Sequence, residues 1–413
     1  MKRVAYVSTY LPRRCGLATY THHLRQSMKA QKGWRRLDPV VAIVDSAERS
    51  EMNDPALWPL VKGKREEYAR MAEKVNRSSV DVVSLQHEFG IFGGEAGAYV
   101  LDFIRRLDKP LVTTFHTVFA RPEEPYYSIQ KEIAERSDRI IVMNRMAVKN
   151  LERSFDLDPG KICFIPHGTP VPVPHKREQF RKELGWSGRK VVMTFGLLNR
   201  GKGIELVLDV LPEVIKAVPN ALYAIVGQTH PEVKKFEGES YREELKAIIR
   251  RRDLERHVTM IDRYLDESEL VKLITACDVY TTPYPGIEQV TSGTLAYAVG
   301  LGRPVLTTPY SYARDLLADC EPLIIPFDDR TQWAERLVEL LSDEDKRRDW
   351  ETRISRIGQE MHWPEVGRRH ALLFSQISAD AITEAGAGAA TCATAGSSAG
   401  ATDGGRRIAA VIR

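Results

Sequence analysis

Short apolar stretches alternate with helical stretches along most of the chain, and this alternation is the feature that most limits its fold. The apolar stretches are brief and rich in β-branched residues, as in buried strands. Strands that alternate with helices predict parallel sheets with helices on their faces. The predicted strands are 3–8, 40–44, 81–85, 110–115, 139–143 and 163–165, followed by 191–194, 221–226, 258–261, 279–282, 305–307 and 323–325.

The length predicts two domains, because 413 residues exceed what one hydrophobic core usually holds. Residues 169–174 carry three prolines and form a stiff connector. We therefore expect an N-terminal domain over 1–170 and a C-terminal domain over 185–361. Residues 379–413 are mostly Ala, Gly, Ser and Thr, a composition that predicts a disordered low-complexity tail.

Charge and composition exclude several classes of protein. The net charge of +4 is spread along the chain, which argues against a dedicated nucleic-acid binder. No apolar run is long enough to span a bilayer, and no signal peptide precedes the first strand. The five cysteines are scattered, which predicts reduced thiols and a cytoplasmic location. Peripheral membrane contact and the oligomeric state stay open.

The loop 196–203, Gly-Leu-Leu-Asn-Arg-Gly-Lys-Gly, joins a predicted strand to a predicted helix. Gly196 and the two later glycines allow a ligand to approach the backbone. The free N–H groups at a helix start favour an anion, and Arg200 and Lys202 add positive charge there. The loop therefore predicts a phosphate site. The alternative is a surface turn with two solvated cations, but ligands of such sheets bind where strands end.

Two further predicted helix starts also contain glycine and could bind an anion. Gly16 follows the first strand in the loop 13–16, Arg-Arg-Cys-Gly, although the glycine spacing of a dinucleotide site is missing. Ser292, Gly293 and Thr294 open a later helix with hydroxyl groups and a glycine, which predicts an anion cradle.

Polar residues follow several predicted strands of the first half. His87 and Glu88 follow the strand 81–85, His116 follows 110–115, and Asn144 follows 139–143. The carboxyl ends of parallel strands border a crevice, so these residues are candidates for binding. A lone histidine is more often structural, and both interpretations stay open for the two histidines.

The order of motifs resembles glycosyltransferase family 4 over roughly residues 1–378. The resemblance rests on the loops 13–16 and 196–203, on Thr-Phe-His-Thr at 114–117, on Ile-Pro-His-Gly at 165–168, and on Gly-Arg-Pro-Val at 302–305. It implies an α/β protein of the GT-B fold, with two Rossmann-like β/α/β domains facing across a cleft. A closing helix over 362–378 would cross back to the N-terminal domain. The N-terminal domain would hold the acceptor and the C-terminal domain a nucleotide sugar.

The chain departs from the family pattern at two positions. Leu197 stands where the family often has arginine, and Arg200 is expected to supply that charge. Of the family's two glutamates, Glu288 matches the first, although Gln289 could also align there. Tyr297 occupies the position of the second, which usually holds the ribose. The stretch 288–294 resembles a mannosyltransferase-like branch and favours GDP-mannose over a UDP-hexose.

The resemblance implies a role for each candidate residue. Arg200 and Lys202 would neutralise the diphosphate, His116 would position the reacting sugar, and Glu288 would bind its hydroxyl groups. Arg263 and Tyr264 would hold the base, with simple packing as the alternative for Tyr264. The other expected substrate-binding residues are Gly16, His87, Glu88, Asn144, Gly196, Gln289, Ser292, Gly293 and Thr294. No metal and no cofactor are expected, since the acid pair Asp156 and Asp158 belongs to a Pro-Gly turn.

The expected function is a retaining, metal-independent hexosyltransferase with a carbohydrate or other hydroxyl acceptor. One alternative is a glycoside phosphorylase on the same scaffold. The other is a non-catalytic nucleotide-sugar-binding regulatory subunit, which Tyr297 in place of an acid suggests.

Overall fold

The computed structural model of the chain describes residues 2–34, 38–51, 53–289 and 291–391. It contains two parallel β-sheets that are covered by helices. The strands are β1 Val4–Ser8, β2 Val40–Val44, β3 Leu57–Val61, β4 Val82–His87, β5 Leu111–Phe115, β6 Arg139–Val142, β7 Ile162–Phe164, β8 Lys190–Phe195, β9 Ala221–Val226, β10 Val258–Ile261, β11 Val279–Thr282 and β12 Val305–Thr307. The helices are α1 Gly16–Lys29, α2 Arg65–Arg77, α3 Val100–Ile104, α4 Tyr126–Arg136, α5 Arg145–Ser154, α6 Arg177–Glu183, α7 Ile204–Ala217, α8 Pro231–Glu237, α9 Ser240–Arg251, α10 Glu267–Ala276, α11 Gly293–Gly300, α12 Ser311–Leu316, α13 Arg330–Ser342, α14 Glu344–Gln359 and α15 Trp363–Thr391.

The first sheet has the strand order β3-β2-β1-β4-β5-β6-β7, and the second has the order β10-β9-β8-β11-β12. All strand pairs are parallel. β1, β2, β4 and β5 are buried at every position, because helices cover both faces of a parallel sheet. In each sheet the strand order reverses beside the first strand, and ligands of such sheets bind at that point.

The structure differs from the predicted strands at two places. β3 was not predicted, and its Pro59 explains why, since proline lacks a ladder donor and occurs mainly in edge strands such as this one. The predicted strand 323–325 is wrong. Leu323 ends the short 3₁₀ turn Glu321–Leu323, and Ile324 makes only a single bridge to Thr307.

The last helix crosses from the second sheet back to the first. Trp363, Val366 and Phe374 of α15 pack with Leu24 and Met28 of α1 in one hydrophobic cluster. The crossing point itself is held by backbone, since the N–H of Thr169 donates to the carbonyl of Met361 at 2.7 Å. The predicted crossing helix is therefore confirmed.

The end of α15 lies beyond the predicted boundary. The helix continues to Thr391, so residues 379–391 are helical where a disordered tail was predicted. Alanine is the best helix former, and this stretch contains six alanines, which explains the longer helix. Residues 392–413, the rest of the predicted tail, lie outside the described residues. No helix of the described residues combines the length and the apolar character that crossing a bilayer requires.

Candidate active site

The loop 196–203 holds the amino end of α7 against the segment between β11 and α11. Gly203 has a φ of +58°, and a Cβ atom there would lie 2.0 Å from the backbone oxygen of Pro283. Glycine alone tolerates both this conformation and this close approach. The sequence therefore needs glycine at 203 to bring the two loops together.

Lys202 lies at the amino end of α11. Its Nζ atom donates to the Tyr284 hydroxyl at 3.1 Å and lies 4.3 Å from the centre of that ring. The same hydroxyl is 2.7 Å from Oγ1 of Thr294, in the first turn of α11. A Cβ atom at Gly196 would be 3.2 Å from Cε of Lys202 and 3.6 Å from Cγ2 of Thr294. The ammonium group and the helix amides thus converge, as in an anion site.

Ser292 caps this helix and completes its first turn. Its buried hydroxyl accepts a hydrogen bond from the N–H of Leu295 at 3.3 Å and lies 3.2 Å from Oγ1 of Thr294. An N-cap serine leaves the preceding amides of the helix free for another acceptor. Ser292, Gly293 and Thr294, which the sequence predicts to form an anion cradle, thus lie at the helix start next to Lys202, and anion binding there stays a prediction.

Arg200 does not join Lys202. Its guanidinium group donates to Oε2 of Glu244 at 2.6 Å and lies over the ring of Tyr241, both on α9. The side chain is 56% exposed. The expectation that Arg200 supplies charge beside Lys202 is thus not met in this arrangement. Arg200 and Lys202 belong to the same short 3₁₀ turn, yet their side chains have different partners, Glu244 and Tyr284.

His116 is buried at the end of β5 in the first sheet. Its Nε2 atom lies 3.0 Å from Oε1 of Gln86, whose amide nitrogen donates to Ser84. The amide oxygen can only accept, so Nε2 of His116 carries the proton and donates. Burial, together with the smaller effects of the nearby His167 and His87, lowers the pKa of His116 to about 3. His116 is therefore neutral and a weak base.

His87 lies in the core and does not border the cleft. Its ring packs against Phe89, Phe92 and Phe115, with centroids 4.7, 5.9 and 5.3 Å away. Neither ring nitrogen has a hydrogen-bond partner among the described residues, and burial lowers the pKa of His87 to about 3. The prediction that His87 faces the cleft is wrong, because β4 continues through it and its side chain falls on a covered face.

Glu88 connects the ends of β4 and β5. One carboxylate oxygen accepts from the N–H of Phe89 at 3.1 Å, and the other accepts from the Thr117 hydroxyl at 2.6 Å. Burial raises the pKa of Glu88 above its ordinary value. The carboxylate therefore fixes the loop after β4 relative to His116, which precedes Thr117.

Asn144 caps α5 at the end of β6. Its side-chain oxygen accepts from the N–H groups of Met146 at 2.6 Å and Ala147 at 3.3 Å. A structural cap accounts for asparagine at this position. The predicted substrate-binding oxygen is thus already occupied by the helix.

His167 reaches the amino end of α11 from the other side of the cleft. A Cβ atom at Gly293 would lie 3.4 Å from its Nε2 atom. Its Nδ1 atom is 2.8 Å from the carbonyl of Gly168, and burial lowers its pKa to about 4. Tyr20 packs edge-on against both His116 and His167, with centroids 5.0 and 5.2 Å away. These rings therefore form a continuous wall opposite Lys202.

Tyr264 bridges the two halves of the molecule beside the loop 13–16. The guanidinium of Arg14 lies 5.5 Å from the centre of its ring, and Thr19 of α1 is 3.5 Å from its hydroxyl. Gly16 begins α1 between these two contacts and is exposed. Arg263 turns the other way and forms an ion pair with Glu269 on α10. The structure thus brings Tyr264, and not Arg263, to the cleft.

An acid lies beside Tyr297 although the sequence has none at that position. The Tyr297 hydroxyl donates to Oε2 of Glu267 at 3.0 Å, and Nε2 of His23 in the first half lies 2.8 Å from the same oxygen. Glu267 starts α10, so a carboxylate comes to this point from a neighbouring helix.

Glu288 is exposed in the loop that leads to α11, and Gln289 next to it donates to the carbonyl of Thr291 at 2.9 Å. Within the described part of the chain, no three His, Cys, Asp or Glu side chains are grouped so that they could hold a metal ion. Asp158 accepts from the N–H of Gly160 at 2.9 Å, as a turn residue does. Metal independence stays a prediction.

Two family models match the chain, one after the other. The model described as Glycosyltransferase Family 4 matches residues 15–171, and the model described as Glycosyl transferases group 1 matches residues 176–356. The chain belongs to glycosyltransferase family 4. The predicted resemblance is confirmed, and the two matches meet at the proline-rich connector.

Curated relatives of this family 4 chain are distant. The phosphatidyl-myo-inositol mannosyltransferase of Mycolicibacterium smegmatis is 23% identical over 293 residues, 70% of each chain. Spore coat protein SA of Bacillus subtilis is 27% identical over 175 residues, 41% of this chain and 44% of the relative. The GDP-mannose:glycolipid 4-beta-D-mannosyltransferase of Xanthomonas campestris pv. campestris is 28% identical over 129 residues, 31% and 32%. The matches thus span less than half the length of two of these relatives.

Solved structures share the fold over nearly the whole molecule. Sucrose-phosphate synthase from Thermosynechococcus elongatus has a TM-score of 0.73 at 17% identity, over 92% of this chain and 100% of that one. Anabaena HepE in complex with UDP and glucose has a TM-score of 0.71 at 15% identity, over 91% and 100%. At this identity the likeness shows the fold alone. The predicted GT-B fold class is confirmed.

Sequence reasoning missed three aromatic or imidazole side chains of this family 4 site. His167 was part of the motif 165–168 but was not named as a site residue. Tyr284 is the second residue after the end of β11, a position that could have indicated it. Tyr20 carries no signal in the sequence, because its place depends on how α1 packs beside α15.

Proposed function

We propose that this protein is a hexosyltransferase that moves a mannosyl group from GDP-mannose to a hydroxyl group of a saccharide or other acceptor. The observation that carries the proposal is the convergence of Lys202, the amino end of α11 and His167 at the cleft. A cation and free helix amides at one point bind a diphosphate. The histidine and tyrosine wall of the first half would then cover the reacting sugar.

Lys202 and α11 would supply the main electrostatic contribution. When the bond from the anomeric carbon to the phosphate oxygen breaks, negative charge grows on the departing diphosphate. Donors already fixed in place stabilise that charge without reorganisation, and the loss of one typically costs about 3–4 kcal/mol. This proposed route takes its positive charge from the protein and uses no metal.

His116 would position the sugar. A neutral imidazole with a pKa of about 3 is a poor acceptor for the proton of an acceptor hydroxyl. This favours attack from the face of the leaving group, with the departing phosphate oxygen taking the proton. Such a route retains the configuration at the anomeric carbon.

GDP-mannose is proposed as the donor because of one sequence motif and the names of two relatives. The stretch 288–294 resembles a mannosyltransferase-like branch, and two relatives carry mannosyltransferase names. One of these names specifies GDP-mannose. UDP-hexose is the competing donor, because the HepE structure contains UDP and glucose.

A thermal-shift panel tests the proposal. The full chain is heated alone and with GDP, GDP-mannose, UDP or UDP-glucose. A ligand at 100 times its dissociation constant stabilises the fold by about 2.7 kcal/mol, and we expect this effect for GDP and GDP-mannose. Stabilisation by UDP-glucose alone would mean that the donor is UDP-glucose and not GDP-mannose. The absence of stabilisation by any of the four compounds would contradict the proposal.

Turnover separates the alternatives. Release of GDP in the presence of saccharides supports a transferase. Cleavage of a glycoside by inorganic phosphate, without a nucleotide sugar, would identify a phosphorylase. Nucleotide binding with no release under any condition would identify a regulatory subunit.

A further inference from the structure

A second concave site lies in the first half of the molecule, away from Lys202. It is a cavity of about 560 Å³, within the range of about 300–1,000 Å³ typical of ligand pockets. Its lining comes from Asp45 after β2, Lys62 after β3, the loop after β4, and Tyr126 at the start of α4. These are all carboxyl ends of strands or the segments that follow them. The cavity therefore spans the point where the strand order reverses beside β1.

Five of the eleven lining residues of this cavity are glycines, which expose backbone to a ligand. A Cβ atom at Gly93 would lie 2.0 Å from the carbonyl oxygen of Lys62, so no larger residue fits there. Ala96 has a φ of +46°, a left-handed conformation that is uncommon for alanine. Lys62 donates from Nζ to the carbonyl of Gly90 at 2.8 Å and ties the two strand ends together. A ligand in the cavity would thus meet peptide groups at close range.

One wall is aromatic. Tyr126 is 38% exposed and lies edge-on to Phe89 at 4.9 Å and to Phe119 at 5.4 Å between ring centres. Phe89 and Phe119 are themselves stacked at 5.7 Å. The tyrosine is therefore held firmly while its free edge and hydroxyl stay accessible. Such a side chain offers an apolar surface and a polar hydroxyl group, which suits a ligand that has both apolar and polar groups.

The charges in the lining cancel. Asp45 has a side chain that is 56% exposed and lies 3.4 Å from Arg13, and Lys62 is the one cation of the lining. A phosphate group in the cavity would face the Asp45 carboxylate. A neutral ligand with several hydroxyl groups could donate to Asp45 and accept from Lys62 without that repulsion.

The loop after β4 connects the cavity with the candidate active site. Phe89 lines the cavity and directly follows Glu88, which accepts a hydrogen bond from Thr117 beside His116. The same loop therefore carries both a lining residue and a contact to the residue next to His116.

We infer that this cavity binds a neutral pyranose ring of the acceptor. The aromatic wall would take the C–H face of the ring, and Asp45, Lys62 and the exposed backbone would take its hydroxyl groups. The inference rests on the proposed transferase function and adds the chemical class of the acceptor. It excludes an acceptor whose recognised group is a phosphate, although one relative is named for phosphatidyl-myo-inositol.

Saturation-transfer NMR on the full chain tests the inference. The probes are the methyl glycosides of glucose, galactose and mannose, with glucose 6-phosphate and inorganic phosphate as the charged counterparts. We expect saturable binding of at least one methyl glycoside, and a loss of tenfold or more in its affinity in Tyr126→Ala and in Asp45→Asn. Glu123→Gln, an exposed position outside the lining, is the matched control and should bind as the unchanged chain does.

Two results would overturn the inference. One is that no methyl glycoside binds, or that only the phosphate-bearing probes do. The other is binding that neither Tyr126→Ala nor Asp45→Asn weakens. Thermal shift with GDP and UDP on the same samples separates the two proposals. If a nucleotide binds while the glycoside result is negative, only the acceptor inference fails; if no nucleotide binds, the transferase proposal fails.

Discussion

At the scale of single residues, two cations that are neighbours in the sequence have separate surroundings. Lys202 meets Tyr284 and the start of α11, whereas Arg200 pairs with Glu244 on α9. Both residues belong to one short turn, so their positions in the sequence alone do not separate them. The sequence places both at the loop, and the structure places only Lys202 at the candidate diphosphate site.

Lys202→Met should therefore reduce turnover far more than Arg200→Ala. We expect a loss of about 100-fold or more for Lys202→Met, since one donor to the leaving group is worth about 3–4 kcal/mol. Arg200→Ala removes an exposed ion pair and should change turnover by less than about threefold. The rates are measured with saturating donor. Equal losses in the two variants would show that Arg200 moves to the donor during the reaction.

At the scale of elements, α15 joins the two halves through close contact with α1. A Cβ atom at Gly367 would lie 1.9 Å from the Ser27 hydroxyl oxygen, and that hydroxyl donates to the carbonyl of Trp363. The side chains of α15 in the core run from Trp363 to Ile377. These contacts attach the first half of the helix to the N-terminal half of the molecule.

Gly367→Ala should destabilise the protein by about 1–3 kcal/mol, because the added methyl group forces α15 away from α1. The measurement is urea unfolding. Gln376→Ala, at an exposed position of the same helix, serves as the control and should change stability by less than about 0.5 kcal/mol. An unchanged midpoint in Gly367→Ala would mean that the two helices separate without cost.

A chain that ends at Asp380 should keep its stability and activity. Among the side chains that the structure describes, Ile377 is the last one of α15 in the core, and the sequence beyond Ala379 has little apolar area to bury. Thermal unfolding and turnover of the shortened chain are compared with those of the full chain. A marked fall in either would show that the last residues dock or take part in binding.

At the scale of the whole molecule, four buried histidines link stability to pH. Burial lowers the pKa of these groups to about 3 or about 4; they are His87, His116, His167 and His370. Below pH 6.5 the unfolded chain takes up protons that the folded chain excludes. The contribution of these four histidines to the free energy of unfolding should therefore be fully present above pH 6.5 and be lost as the pH falls toward 4. Burial raises the pKa of Asp38 to about 6 and that of Glu88, and these carboxyls offset part of the loss.

We expect the free energy of unfolding to fall by about 3 kcal/mol between pH 6.5 and 5.5, since each net proton contributes about 1.4 kcal/mol per pH unit. Urea unfolding at several pH values measures the slope. His87→Leu removes one such group away from the cleft and should reduce the slope by about one proton. A stability that is flat over this interval would contradict the pKa shifts.

Two properties of the reaction test the proposed mechanism of the whole cleft: its dependence on metal and the configuration of its product. Excess chelator should leave the rate within about a factor of two, which is under about 0.5 kcal/mol of barrier. An α-linked donor should give an α-linked product, read from the anomeric coupling in a proton spectrum. Loss of activity that manganese or magnesium restores would end the metal-free route. A β-linked product, as the name of the Xanthomonas relative specifies for that enzyme, would require a general base.

The alternation of strands and helices, the glycine-rich loop and the order of motifs were readable from the sequence alone. They depend on local patterns, since β-branched runs form buried strands and glycine permits the turn at 203. Eleven of the twelve strands are such runs without proline and were predicted, whereas β3 contains Pro59 and was not predicted.

The tertiary structure alone decided which polar residues meet. His87 and His116 both follow apolar runs, yet one is enclosed by three phenylalanines and the other bonds Gln86 beside the cleft. Glu267 reaches Tyr297 from another helix, and His167 reaches Gly293 from the other half of the chain. Such contacts join residues far apart in sequence. They depend on how helices and sheets pack, and no periodicity along the chain records that packing.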